Sequence, residues 1–387
     1  MDTKELIKEI EVNLAENKAV FTSMGVLNGL AGVSLFYYYQ NDMDKSMEVL
    51  HDAMKGLNDE YKGYDIVADI IDIANLVDFY ASQGLLSRAE AEGFISSNDT
   101  ILEELLMESL DENNLNPIAG SLKYANYFVL REKRNPGSYQ QLLSKVFEKV
   151  QELAREDAKS GGIYWVSTIP RGGKFLVELG IKHGIMGIVD FLVSLYQLKI
   201  EENQVYDLIK GAMIFIEAQK NPTGMPVFPF CADEVQKKSS FSFGLVYGDL
   251  GIAYGILRVV NFCNMEEYRP LATNLIQEVA KFKDDEGVHV TDANLFYGVL
   301  GIASLFQKIK ENSDIEGLEE TIAYWASKTK EFKSETTAWA GFDTTFNKFD
   351  TNAQLSLSHG IAGIGIALMN FQDQSNFDYM HFLGYTF

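Results

Sequence analysis

An all-α fold, an α/α toroid of seven helical hairpins, is what this sequence predicts, and three observations predict it. A phrase of glycine, two residues, glycine and a branched aliphatic occurs five times: Gly29-Leu-Ala-Gly32-Val33, Gly184-Ile-Met-Gly187-Ile188, Gly248-Asp-Leu-Gly251-Ile252, Gly298-Val-Leu-Gly301-Ile302 and Gly360-Ile-Ala-Gly363-Ile364. The spacing, roughly 50 to 65 residues, is that of repeated supersecondary units. Each copy opens an apolar run of helical character, and polar-faced helical segments alternate with these runs.

Taken in order, Glu5 to Glu16 sets Leu6, Ile7, Ile10, Val12 and Leu14 among charges, the pattern of an amphipathic outer helix. The first phrase leads into Val33 to Tyr39, an inner helix, and Asn41 to Asn58 supplies the next outer one. Two worn copies complete the set of seven inner helices. Ile66 to Tyr80 carries Asp69 and Asp72 where glycines are expected, and Ile118 to Arg131 keeps Gly120 but has Lys123 in place of the second glycine. Tyr139 to Ala158, Glu202 to Ala218, Tyr268 to Phe282 and Leu318 to Lys333 read as further outer partners. Between them, Asn221 to Phe230 holds three of the seven prolines and runs on to Ser242 without helical periodicity, a long excursion over one face. Gly161-Gly162 and Arg171-Gly172-Gly173 flank Tyr164-Trp165 as a hairpin or lid.

No low-complexity linker divides the chain, so residues 1–387 read as one domain. A hydrophobic share of 47% supports a large core and excludes disorder. The net charge of −22 argues against nucleic-acid phosphates and anionic membrane surfaces as partners. Cys231 and Cys263 are too few for a disulfide framework, no apolar run is long enough to span a bilayer, and the N-terminus lacks a signal-peptide layout. A cytoplasmic location is expected.

Inner helices crowd at one end of a small ring, and glycine lets neighbouring backbones approach. Each inner helix is then expected to aim unsatisfied N–H groups and a positive dipole end at the ring axis, a setting for an anion or thiolate. Functional weight therefore falls on the residue before each phrase: Asn28, His183, Tyr247, Tyr297 and His359. His51, His289 and His381 read as surface or loop residues.

The stretch Leu179-Gly-Ile-Lys-His-Gly-Ile-Met-Gly187 and the later Tyr247-Gly-Asp-Leu-Gly251 resemble the lanthionine synthetase C-like family, the cyclases that close thioether rings in ribosomally made lanthipeptides. The resemblance runs from about Gly25 to the C-terminus, and it implies an α/α toroid with zinc at its mouth, held by two cysteines and a histidine. One family cysteine heads the fifth inner helix and a Cys-His pair the sixth; this sequence has Val246 in the first place and Phe296 and Tyr297 in the second. None of the three is expected to ligate zinc, so no cofactor is expected. The family histidine before the fourth phrase corresponds to His183, its catalytic aspartate to Asn116 and an arginine to Ser242, while Tyr247 and Asp249 are retained.

Without zinc, only a few per cent of a free thiol is ionised at neutral pH. Helix dipoles contribute on the order of 0.3 to 1 kcal/mol each, too little to replace the metal. The expected function is a cyclase-degenerate partner in lanthipeptide biosynthesis that binds or scaffolds a precursor peptide, with a dehydratase or a second cyclase as further partners. Asp249, Phe296, Trp339 and His359 are its candidate peptide-binding residues, with Tyr247, Tyr297, Phe296 and Trp339 making an aromatic mouth. The enzymatic alternative is a zinc-independent thioether cyclase using His183 with Tyr247 or Tyr297. A metal rebuilt on His183, His359 and Asp249 or Asp292 is not required by any spacing, and a hydrolase using Asp69, Asp72 and Asp249 is the weakest alternative.

Overall fold

The computed structural model describes residues 2–221, 224, 226–232, 244–282, 290–373 and 376–387. Ser242, His289 and the far end of the excursion after Phe230 lie outside them. Among the described residues the sixteen helices are α1 (Thr3–Asn17), α2 (Ala31–Tyr39), α3 (Met43–Gly56), α4 (Ile66–Ser82), α5 (Arg88–Ser96), α6 (Asp99–Asp111), α7 (Ser121–Arg134), α8 (Gln140–Glu152), α9 (Ile185–Gln197), α10 (Glu202–Ala218), α11 (Asp249–Cys263), α12 (Arg269–Lys281), α13 (Val299–Glu311), α14 (Leu318–Ser327), α15 (Thr351–Leu355) and α16 (Ile361–Gln372). The seven expected inner helices are α2, α4, α7, α9, α11, α13 and α16. They are apolar on most sides because they are covered on most sides; α11 buries thirteen of its fifteen residues.

The chain forms two compact units, residues 1–99 with 290–387 and residues 100–289. In the first, α2 pairs with α3, α4 with α5, α13 with α14 and α1 with α16, while α16 touches both α2 and α13. A buried polar knot, Ser34 and Ser46 each 2.8 Å from the Tyr80 hydroxyl, ties α2 and α3 to α4. In the second, α7 pairs with α8, α9 with α10 and α11 with α12, and α9 lies between α7 and α11. Each pairing buries one stripe of an amphipathic outer helix, such as Leu6, Ile10 and Leu14 of α1. Two outer helices stop earlier than expected. α8 gives way after Glu152 to strand β1 (Arg155–Glu156), and α14 gives way after Ser327 to a 3-10 turn over Lys328–Phe332.

The glycine phrases have a local cause. Ahead of an inner helix the chain makes a turn that folds back over the helix start, and its carbonyls take the helix's first N–H groups at seven residues' separation. Ile185 N–H bonds Glu178 O at 2.9 Å and Met186 N–H bonds Leu179 O at 3.2 Å; Val299 and Leu300 bond Asp292 and Ala293 likewise, as do Ala31 with Met24 and Ser121 with Asn114. At these four starts this corrects the expectation of unsatisfied N–H groups: backbone carbonyls of the preceding turn take the first of them. The turn also lies too close for a side chain. A Cβ on Gly187 would fall on the carbonyl oxygen of Ile181, six residues back, and the same relation recurs at Gly32, Gly251, Gly301 and Gly363. The second glycine therefore admits the chain's own turn rather than a neighbouring helix backbone.

Candidate functional site

In the unit of residues 100–289, β1 pairs antiparallel with β2 (Ile163–Tyr164), closing the expected hairpin around Gly161-Gly162, and a second turn bonds Arg171 N–H to Lys174 O. This segment, the turn before α7, the start of α9 and the end of α10 line a cavity of about 970 Å³. Trp165, Tyr164, Phe175 and Phe215 supply aromatic walls; His183, Asn116, Arg155 and Asp157 supply polar ones. Trp165 is fixed by its indole N–H on Val150 O at 2.8 Å, whereas Phe175 stands 61% exposed.

His183 is half-buried beside this cavity. Its ring stacks on Tyr247 at 5.6 Å and 18°, so the residues heading α9 and α11 meet as the repeat suggests. Asn116, from the turn before α7, has its Oδ1 committed to the N–H groups of Ile118 and Ala119, both at 2.9 Å. That orientation points Nδ2 at His183 Nδ1, 3.4 Å away. Since the amide nitrogen only donates, Nδ1 accepts and the ring proton sits on Nε2. Burial, then the Arg171 and Lys182 charges, push the imidazole down to about 4, so it is neutral at physiological pH.

The Arg171 guanidinium forks onto Glu178, Nε to Oε1 at 2.9 Å and Nη2 to Oε2 at 3.3 Å, and lies 5.0 Å over Phe230 and 5.4 Å over Tyr247. The Glu178 side chain is 1% exposed, and the pair fixes the electrostatics around His183. Sequence reasoning passed over Arg171, Glu178, Phe230 and Phe175. The available signal was a charged residue, Glu178, one step from the apolar Leu179-Gly180-Ile181 run.

Asp249 heads α11, but both its oxygens accept backbone N–H groups, Val227 at 2.7 Å and Phe228 at 2.9 Å. It is buried and its carboxyl is raised to about 7 by that burial. Its role in the geometry is to pin the proline-rich loop.

In the unit of residues 1–99 with 290–387, the residues heading α2, α13 and α16 come together. His359 is buried against Phe296, Tyr297 and Phe346, with ring centroids 5.3, 5.6 and 5.8 Å away, and its Nδ1 lies among Ser358 and Asn28. Asp292 accepts Thr345 N–H at 2.7 Å and Asn294 N–H at 3.1 Å, and burial raises it to about 6. Asp69 and Asp72 of α4 likewise hold the turn before α2, Asp72 through Val26 and Leu27 at 3.0 and 2.8 Å. These carboxylates are thus committed to backbone, which removes the geometric basis for a hydrolase dyad on Asp69, Asp72 and Asp249. Trp339 sits in a 3-10 turn (Trp339–Gly341) packed against α1.

The sequence profile of the lanthionine synthetase C-like proteins matches residues 20–383. The chain belongs to this family. Its structure is similar to that of nisin cyclase, with a TM-score of 0.72 over 98% of this chain and 96% of that one at 15% sequence identity, which establishes the α/α toroid fold. A search of curated protein sequences gave no match. Within a lanthionine synthetase C-like fold, the donor chemistry at the expected zinc positions does not fit zinc. Val246 is a buried hydrocarbon, Phe296 has no lone pair to give, and Tyr297 is tilted against the Phe346 ring at 4.7 Å. Cys263, at the far end of α11, is buried and raised to about 12. Among the described residues, no three His, Cys, Asp or Glu side chains gather as a metal-binding group. No helix among them is long and apolar enough to cross a membrane.

Proposed function

We propose that this lanthionine synthetase C-like protein, as one domain over residues 1–387, binds a cysteine-bearing precursor peptide in lanthipeptide biosynthesis without closing thioether rings through zinc. One observation carries the reading: a peptide-sized cavity with aromatic walls remains beside His183, while the positions expected to hold zinc carry Val246, Phe296 and Tyr297. Apolar walls with a few convergent polar groups suit an extended peptide segment, and the chain's acidity suits a basic one. In this account Phe175 and Trp165 bury apolar side chains of the peptide, and His183 donates from Nε2 to a peptide carbonyl. The setting is cytoplasmic, with a dehydratase or a ligand-complete cyclase as the partner whose substrate is presented.

The competing reading is a zinc-independent cyclase. What favours it is that the Nε2–H of the neutral His183 lines the cavity as a hydrogen-bond donor, able to stabilise the enolate oxygen that forms when a thiolate adds to a dehydrated residue. Against it stands the thiolate supply, since His183 carries its proton on Nε2 and has no basic nitrogen free there.

Calorimetric titration with a dehydrated peptide containing one cysteine tests the binding site. Wild-type protein is expected to bind, and Phe175→Ala to bind about tenfold more weakly, the loss of roughly one buried aromatic contact. Equal affinity of wild type and variant would place the peptide elsewhere.

A further inference from the structure

The glycine phrases that begin α2 and end with α16 bring Asn28 next to Ser358 and His359, and the resulting triad fixes a protonation state. The Ser358 hydroxyl lies 2.6 Å from Asn28 Oδ1 and 2.7 Å from His359 Nδ1, and Nδ1 itself is 3.1 Å from Asn28 Oδ1. A carboxamide oxygen only accepts, so the hydroxyl hydrogen goes to it. The hydroxyl oxygen then accepts from His359, whose Nδ1 must carry hydrogen. Nε2 is left as a bare lone pair.

That nitrogen is inaccessible to solvent and has no hydrogen-bond partner among the described residues, while His359 as a whole is 5% exposed. Buried acceptors are normally satisfied, and one that is not calls for an explanation. Its surroundings are aromatic. Phe346 stacks on the imidazole at 14° and is itself 49% exposed, so one wall of the box faces outward.

We propose that His359 Nε2 is a binding acceptor for the thiol of a cysteine side chain. A thiol is an uncharged donor on a small apolar body. Sulfur makes favourable contacts with ring edges, and a neutral group enters the box without the desolvation that an ammonium would suffer. The assignment to cysteine rests on the peptide-binding reading above, whereas the lone pair and its aromatic box do not. His359 acts here by hydrogen bonding and takes no proton from the thiol.

The test uses full-length protein with ¹⁵N-labelled histidine, titrated with N-acetyl methylamides of cysteine, serine, alanine and lysine, with His359→Phe to assign the resonance. The free protein is expected to show His359 protonated on Nδ1. The cysteine probe should shift the Nε2 signal and bind about fivefold more tightly than the alanine probe, the worth of one neutral hydrogen bond. His359→Phe should bind both equally. A free protein with hydrogen on Nε2, or a serine, alanine or lysine probe that binds as well as cysteine, would overturn the proposal. The wild-type spectra decide it even where His359→Phe fails to fold. Failure here with intact binding of the longer peptide would leave the cavity beside His183 standing, so the two readings are separable.

Discussion

The carboxamide of Asn116 donates to Nδ1 of His183 across 3.4 Å, held in that sense by the two backbone N–H groups on its oxygen. A carboxylate in the same place would accept from Nδ1 and move the ring proton there, leaving Nε2 basic. One amide in place of a carboxylate therefore sets whether His183 Nε2 donates or accepts at the cavity.

Asn116→Asp is expected to raise the His183 pKa from about 4 by roughly 1 to 3 units and to shift the ring proton to Nδ1. Histidine NMR signals followed through a pH titration report both. An unchanged midpoint would mean that the Asn116 contact does not govern the ring.

Arg171→Met should leave the Glu178 carboxylate buried without its fork. A fully buried broken pair loses about 3 to 5 kcal/mol; the half-exposed Arg171 side reduces the expected loss to about 1 to 3 kcal/mol, read from urea unfolding. The same variant should raise the His183 pKa, because a cation that depresses it is gone. Substituting Glu178 by Gln as well should recover part of the stability, and no recovery would show that packing, not charge, holds the loop.

Stability should respond to pH in two opposed ways. His183 and His359 are depressed to about 4, so their neutral forms contribute stability that is present above about pH 6.5 and lost as pH falls through 4. Asp249, raised to about 7, has the reverse sign: its contribution is present below about pH 4 and lost as pH rises through 7. Asp249→Asn is therefore expected to flatten the decline in urea midpoint between pH 5 and 8. An unaltered slope would remove Asp249 from the account.

Gly301→Ala would put a Cβ on the Leu295 carbonyl and is expected to cost at least about 2 kcal/mol. Gly93→Ala, in the middle of α5 with no atom near the new methyl, should instead gain about 0.5 to 1 kcal/mol. Thermal unfolding of the pair separates the close-approach role of the repeat glycines from ordinary helix propensity.

The seven inner helices were legible because the glycine phrases mark a local event, the turn closing on its own helix, and because their apolar runs are long. Asn28, Tyr297 and His359, and separately His183 and Tyr247, were legible for the same reason: equivalent repeat positions meet. The capping of helix starts was not, since it uses backbone carbonyls that any residue supplies. Arg171 was hidden because its partners Phe230 and Tyr247 are joined only by the fold, and Asp249 misled because a carboxylate pinning a loop has the same letter as one facing a ligand. α5 and α6 escaped because Arg88 to Asp111 carries no repeat mark.

Peptide binding without ring closure is directly measurable. Incubating the protein with a dehydrated, cysteine-containing peptide, blocking the remaining thiols with an alkylating reagent and weighing the product decides it. The peptide is expected to be retained on the protein while its thiols persist as in the protein-free control. Thiols that disappear faster than in that control, with the gain abolished by His183→Ala, would contradict it and establish the zinc-independent cyclase.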